Sequence, residues 1–95
     1  MFKHIVLYKL KDSDTRQKIA LKSKFMSMDG KIPEIISIEV GINELSLARN
    51  YDVSLFITFK TQQDFYNYKE NDFHKTVSSY VHEVITSSVS VDYSI

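Results

Sequence analysis

The stretch YDVSLFITFKTQQDFYNYKENDFH, residues 51–74, decides the fold because it joins one strand to two helices. Its first part, residues 53–59, is rich in β-branched and aromatic side chains, which is typical of a buried strand. The hydroxyl of Thr61 is predicted to cap the helix that follows, and an acidic side chain three residues later reaches back to complete a capping box. Residues 70–72 form a polar turn that ends this helix. A second helix then opens with His74 in its first turn.

The segments before this stretch predict a strand and a helix. Residues 2–10 are apolar at nearly every position after Lys3, so they are predicted to form a strand that is buried on both faces. Ser13 or Asp14 then caps a helix that runs to about Met28. Apolar residues recur at helical spacing and form a stripe along one side of this helix. Its lysines lie off the stripe, on a solvated face.

The remaining segments predict three strands and a long helix. Residues 36–42 alternate between apolar and more polar side chains, which indicates an edge strand in which Gly41 marks a bulge. Residues 52–59 are mostly apolar at both odd and even positions, so both faces of this strand are predicted to be buried and the strand to be central in the sheet. Residues 89–93 alternate again and predict the last strand. The inward stripe of the last helix is expected to comprise Phe73, Val77, Tyr80, Val81, Val84 and Ile85.

The order β-α-β-β-α-β predicts an α+β, ferredoxin-like domain with a four-stranded antiparallel sheet, spanning residues 1–95. Right-handed crossovers place the helices on one side of the sheet, so the other side is left bare. That bare side contains Ile5, Leu7 and Phe56, and an apolar sheet face of this size is rarely left in water. We therefore expect a homodimer that closes a dimeric α/β barrel through the open sheet face. The alternative is a monomer with scattered apolar residues on its surface.

Composition excludes several classes of function. The 95 residues include 12 basic and 12 acidic side chains without a block of like sign, so we expect neither nucleic acid nor a membrane as a partner. No cysteine is present, which removes disulfides and thiolate chemistry and is consistent with a cytoplasmic protein. The histidines at positions 4, 74 and 82 lack the spacing of metal ligands, so no metal and no cofactor are predicted.

Two aromatic side chains on either side of the polar turn at residues 70–72 are the best candidates for chemistry. His74 lies near the flank of the apolar stripe and can face a cavity, where a neutral imidazole near a helix N-terminus is suited to act as a general base. The hydroxyl of Tyr68 can polarise a ligand carbonyl and stabilise an oxyanion. His4 can hydrogen-bond His74 or a ligand, and Asp92 can orient either histidine. Each of these side chains can equally serve as a structural residue, and His82 is predicted to face solvent.

Five segments resemble the stress-responsive dimeric α/β barrel family, often called Dabb. They are FKHIVLYKLK, GKIPEIISIEVGIN, YDVSLFITF, YKENDFH and VDY. One plant member closes the ring of a linear polyketide by an aldol reaction without a metal or organic cofactor, and the resemblance aligns its catalytic residues with His74, Tyr68 and His4. Another pocket histidine of that member corresponds to Val53. The His-Pro-x-His turn that is common in the family reads Asn-Asp-Phe-His at residues 71–74 of this chain.

Two kinds of function follow from the residues and the resemblance. In the first, the protein is a small homodimeric module that binds an apolar small molecule in a cavity between helices and sheet and performs no chemistry. In the second, it is a cyclase-like or isomerase-like enzyme in which His74 abstracts a proton next to a carbonyl, Tyr68 stabilises the oxyanion and His4 supports the base. A monooxygenase on the same architecture is a third possibility that no single residue favours.

Overall fold

The computed structural model describes all 95 residues and has the predicted order of elements, with the second helical segment split in two. The elements are β1 (Phe2–Leu10), α1 (Thr15–Met26), β2 (Ser37–Ile42), β3 (Val53–Phe59), α2 (Gln62–Glu70), α3 (Asp72–Val84) and β4 (Ile85–Ser94). The four strands form one antiparallel sheet in the order β2-β3-β1-β4, so β3 is central and β2 is an edge, as predicted. The ferredoxin-like fold is thereby confirmed.

Side-chain caps fix where the helices begin. The carboxylate of Asp14 accepts a hydrogen bond from the Gln17 amide at 2.8 Å, which selects Asp14 over Ser13 as the cap of α1. The Thr61 hydroxyl accepts from the Asp64 amide at 3.1 Å, as the sequence predicted for α2. The reciprocal hydrogen bond of that capping box is absent. The Asp64 side chain makes no hydrogen bond back to Thr61.

The core lies between the helices and one face of the sheet. It is a single cluster of seventeen buried residues, all of them hydrophobic or aromatic, and it includes Phe59, Leu21 and Met28, whose side chains are essentially inaccessible to water. Met28 lies two residues beyond the end of α1, in a turn that Gly30 completes with a φ of 79°, a conformation that suits glycine. The turn that follows α1 is therefore stabilised by the burial of Met28 and by the conformational freedom of Gly30.

Two local predictions were wrong. Gly41 does not mark a bulge, because the register of β2 with β3 is continuous; a Cβ there would meet the Ser54 Oγ at 2.8 Å, so a larger residue would require the Ser54 side chain to move. Ile85 does not belong to the last helix, since it is the first residue of β4. Burial of β1 on both faces stays a prediction, because Ile5 and Leu7, on the side away from the helices, are half-buried in the isolated chain and the predicted cover of that side is a second copy.

The side of the sheet away from the helices carries an apolar strip across three strands. The pairing places Phe56 of β3 opposite Ile5 of β1, and Ile5 opposite Val91 of β4. Phe56 is 42% exposed and Val91 is 53% exposed, so a large apolar surface meets water in the isolated chain. We call this strip the open face; it comprises Ile5, Leu7, Phe56, Val89, Val91 and Tyr93.

Candidate functional site

The bend between α2 and α3 brings the predicted tyrosine and histidine together. The rings of Tyr68 and His74 have centroids 4.3 Å apart, although the two residues belong to different helices. Asn71 creates this bend: its side-chain oxygen accepts hydrogen bonds from the amides of Phe73 at 2.8 Å and His74 at 3.3 Å. Asn71, one of the two residues that depart from the His-Pro-x-His turn, is therefore the N-cap of the helix that carries the histidine.

His74 lies in surroundings that favour its neutral form. Burial lowers the pKa of its imidazole, and the nearby backbone of Lys69 offsets part of that effect. Its Nδ1 atom is buried and lacks a hydrogen-bond partner of normal geometry, a rare condition for a buried polar atom. His74 is among the residues that line the cavity described below, and of its two ring nitrogens Nδ1 is the one enclosed by protein.

Tyr68 and Tyr8 present two hydroxyls that remain protonated. Burial raises the pKa of Tyr68 far above the ordinary range, and the nearness of Tyr8 adds to the increase; burial alone does the same to Tyr8. Tyr68 is only 2% exposed, packed against Phe59 with centroids 5.1 Å apart. Both residues line the cavity, so each hydroxyl can donate a hydrogen bond to a ligand.

His4 is paired with a carboxylate across the edge of the sheet. Its Nδ1 lies 2.5 Å from the Asp92 Oδ1, and the strand register places the two residues directly opposite each other. The ring of His4 is also 6.2 Å from that of Tyr68, measured between centroids. Asp92 therefore orients His4 and makes no contact of this kind with His74. Sequence spacing left open which histidine Asp92 would meet, because that choice depends on register.

A cavity of about 280 Å³ lies between α3 and the edge of the sheet formed by β1 and β4. All three predicted residues, His4, Tyr68 and His74, line it. Its floor is apolar and includes Val6, Val77, Val81, Phe25 and Met28. The volume is just below the ~300–1,000 Å³ that is usual for small-molecule sites, so the cavity has room only for a small molecule.

Two polar walls flank this floor, and sequence reasoning did not identify them. His74, Ser78 and His82 are spaced four residues apart on one face of α3, and all three line the cavity. His82 is exposed, as predicted, but it lies on the cavity rim. Ser88 and Ser90 of β4 form the opposite wall. The spacing of residues 74, 78 and 82 was the signal available in the sequence.

Other kinds of site find no support in the arrangement of side chains. No cluster of three or more histidine, cysteine or acidic residues is placed so as to hold a metal ion. No helix has the length and apolar character needed to span a membrane. The polar residues that line the cavity supply imidazole, phenol, hydroxyl and ammonium groups.

A four-stranded ferredoxin-like sheet with helices on one side and a bare apolar face on the other is the architecture of a protein that forms an α/β barrel from two copies. Residues 2–95 match the family model of the stress-responsive A/B barrel domain, and the chain belongs to this Dabb family. The resemblance noted in the sequence is thereby confirmed. No curated protein sequence matches the chain at a significant level.

Several solved structures are similar over nearly the whole chain. A dimeric protein of unknown function with a ferredoxin-like fold from Bacteroides fragilis is 28% identical, covering 99% of this chain and 95% of that one with a TM-score of 0.81. A Dabb-family protein from Mesorhizobium loti is 17% identical, with coverages of 99% and 95% and a TM-score of 0.83. The hydroxynitrile lyase of Passiflora edulis is also 17% identical, with coverages of 99% and 92% and a TM-score of 0.84. The latter two similarities concern the fold alone.

Proposed function

We propose that the protein is a homodimeric, cofactor-independent enzyme that removes a proton from the carbon next to a carbonyl group of a small bound molecule. The observation that carries this proposal is the half-buried imidazole of His74, which has a lowered pKa and a buried Nδ1 without a hydrogen-bond partner of normal geometry, and whose ring centroid lies 4.3 Å from that of Tyr68. A neutral imidazole and a protonated phenol at one end of a cavity match the needs of enolisation.

Each of the three predicted residues takes a defined role in this reaction. The Nε2 atom of His74 accepts the proton, and the hydroxyl of Tyr68 donates a hydrogen bond to the enolate oxygen that develops. His4, held by Asp92, is a positioning residue beside Tyr68 and restricts the ligand from the sheet side. Return of the proton from His74 to carbon completes an exchange or isomerisation, and attack of the enolate on a second carbonyl of the same ligand completes a cyclisation.

The open face supports the homodimer. Its exposed Phe56, Val89, Val91 and Tyr93 require a cover of matching apolar character, which a second copy of the same surface provides. The Bacteroides fragilis relative, at 28% identity, is described as dimeric. We therefore assign the open face to a two-fold interface between copies of this chain.

A second candidate is a binding module that holds a small molecule without changing it. The apolar floor formed by Val6, Val77 and Val81 favours this function, since it binds a hydrocarbon portion whether or not a proton is transferred. The two candidates differ in one measurable property. Only the enzyme makes exchange of the ligand's hydrogen atoms depend on His74.

Hydrogen exchange in D₂O tests the proposal. A panel of small ketones and oxo acids is incubated with the protein, and loss of the signals of protons next to the carbonyl is followed by NMR. His74→Gln and Tyr68→Phe are each expected to slow the catalysed exchange by about 10²-fold or more. Tyr66→Phe is the matched control, because Tyr66 is on the same helix with its ring exposed. Exchange that is unaffected by His74→Gln would exclude the proposed base, and binding without exchange would identify the module.

A further inference from the structure

The cavity contains positive and neutral polar groups but no acidic residue. Of the 12 aspartate and glutamate side chains in the sequence, none is among the residues that line it. The polar lining instead consists of Lys69, three histidines, three serines and two tyrosines. The carboxylate of Asp92 does not line the cavity and is already paired with His4, which does. A cavity of this composition favours a ligand that carries negative charge and accepts hydrogen bonds.

Lys69 is the permanent cation among these groups, and it has no acidic partner. Lys75, which lies on the first turns of α3, pairs with Glu70 at 3.7 Å and does not line the cavity. Lys69 forms no such pair; its Nζ lies 5.8 Å from the centre of the Phe65 ring. The positive charges of Lys69, His4 and Lys75 each contribute to lowering the pKa of His74, after the larger effect of burial. The positive field therefore reaches the end of the cavity where His74 and Tyr68 meet.

Chain position places Lys69 beside the proposed reaction centre. It directly follows Tyr68 in the last turn of α2, and both residues line the same cavity. The side chain of Lys69 is exposed and flexible, so its ammonium can reach a second group of a ligand whose carbonyl contacts the Tyr68 hydroxyl. A planar carboxylate is the simplest group of the required charge and size for a cavity of about 280 Å³.

We propose that the ligand is a small oxo acid whose carboxylate pairs with Lys69 while its carbonyl lies between Tyr68 and His74. This inference rests on the proposed function, because it uses the same cavity and the same carbonyl position. It adds a class of ligand and a residue that determines specificity. The serines on the two walls provide further hydrogen bonds to the acid, and the apolar floor accommodates a short hydrocarbon chain.

Binding titrations with matched acids and amides test the inference. The probes are 2-oxohexanoate, 3-oxohexanoate and 4-oxohexanoate, each compared with its neutral amide, which has nearly the same shape. We expect at least one acid to bind about fivefold more tightly than its amide, the effect of an ion pair at a partly solvated position. Lys69→Gln should abolish this preference, and Lys69→Arg should preserve it. Lys75→Gln is the matched control and should also preserve it, because Lys75 does not line the cavity.

The outcomes separate this inference from the proposed function. Equal binding of every acid and its amide, or an acid preference that survives Lys69→Gln, overturns the inference. If neutral ketones still exchange hydrogen in a manner that depends on His74, the proposed enzyme stands while the oxo-acid assignment fails. If the acids bind through Lys69 but no exchange depends on His74, the oxo-acid assignment stands and the protein is a binding module.

Discussion

The side chain of Asn71 links the stability of the fold to the position of the candidate base. Its oxygen accepts hydrogen bonds from the amides of Phe73 and His74, at 2.8 Å and 3.3 Å. Replacing a capping Asn by Ala typically costs about 1 kcal/mol, with a range of roughly 0.5–2 kcal/mol. Asn71 is half-buried and satisfies two amides, so we expect Asn71→Ala to cost about 1–2 kcal/mol. In a domain of this size each kcal/mol lowers Tm by about 4–8 °C.

Urea unfolding at a fixed protein concentration measures this cost, since the stability of a dimer depends on concentration. Asn71→Asp retains an oxygen that can cap the helix and should lose much less stability. Asn67→Ala is the control. Asn67 lies in the middle of α2 with its side chain exposed, and that side chain accepts only a hydrogen bond from the Gln63 side chain. A loss below about 0.3 kcal/mol for Asn71→Ala, or a loss equal to that of the control, would refute the assignment of Asn71 as the cap of α3.

Three further perturbations test the interface, the sheet and the buried histidine. Phe56→Arg places a charge in the middle of the open face and should yield a monomer of 11.1 kDa in sedimentation experiments, whereas Ile19→Arg on exposed α1 should leave the dimer intact. Gly41→Ala should reduce the free energy of unfolding by about 1 kcal/mol through overpacking, and Ser54→Ala in the same chain should recover part of it, because the added Cβ meets the Ser54 Oγ at 2.8 Å. The pKa of His74 is lowered in the folded state, so the unfolded chain binds more protons below about pH 6.5. Stability should therefore fall as the pH decreases from 7.5 to 5.5, and His74→Gln should reduce this fall; an unchanged pH dependence would contradict the lowered pKa of His74.

Local signals in the sequence were sufficient for the order of elements and for most of their ends. Thr61 and Asp14 are capping residues whose oxygens need only the amides three residues away, so their role is visible without tertiary information. The errors concern positions where the answer depends on a neighbouring strand. Gly41 was assigned to a bulge because the sequence does not show Ser54 beside it. Ile85 fitted the helical stripe, but pairing of β4 with β1 already begins at this residue.

The candidate site was predicted in part for the same reason. His74 and Tyr68 are close in sequence on either side of a recognisable turn, so their proximity was predictable from the chain alone. The pairing of His4 with Asp92 joins residues 88 positions apart and depends on a strand register that composition does not reveal. His82 was assigned to solvent from its angle to the apolar stripe. The exposure of His82 was predicted correctly, but its position beside the cavity, opposite the serines of β4, was not predicted.

β4 shows most clearly why family membership alone does not assign a function. Its side chains alternate, so Val89, Val91 and Tyr93 belong to the open face while Ser88 and Ser90 line the cavity. The apolar side meets a general need of the barrel, since any member that dimerises through this face needs a similar surface. The polar side is less constrained, since nearly all of β4 is exposed in the isolated chain; there Asp92 pairs with His4, and Ser88 and Ser90 line the cavity. The fold therefore explains the apolar side of β4, whereas a function has to be argued from the polar side together with Lys69 and His74.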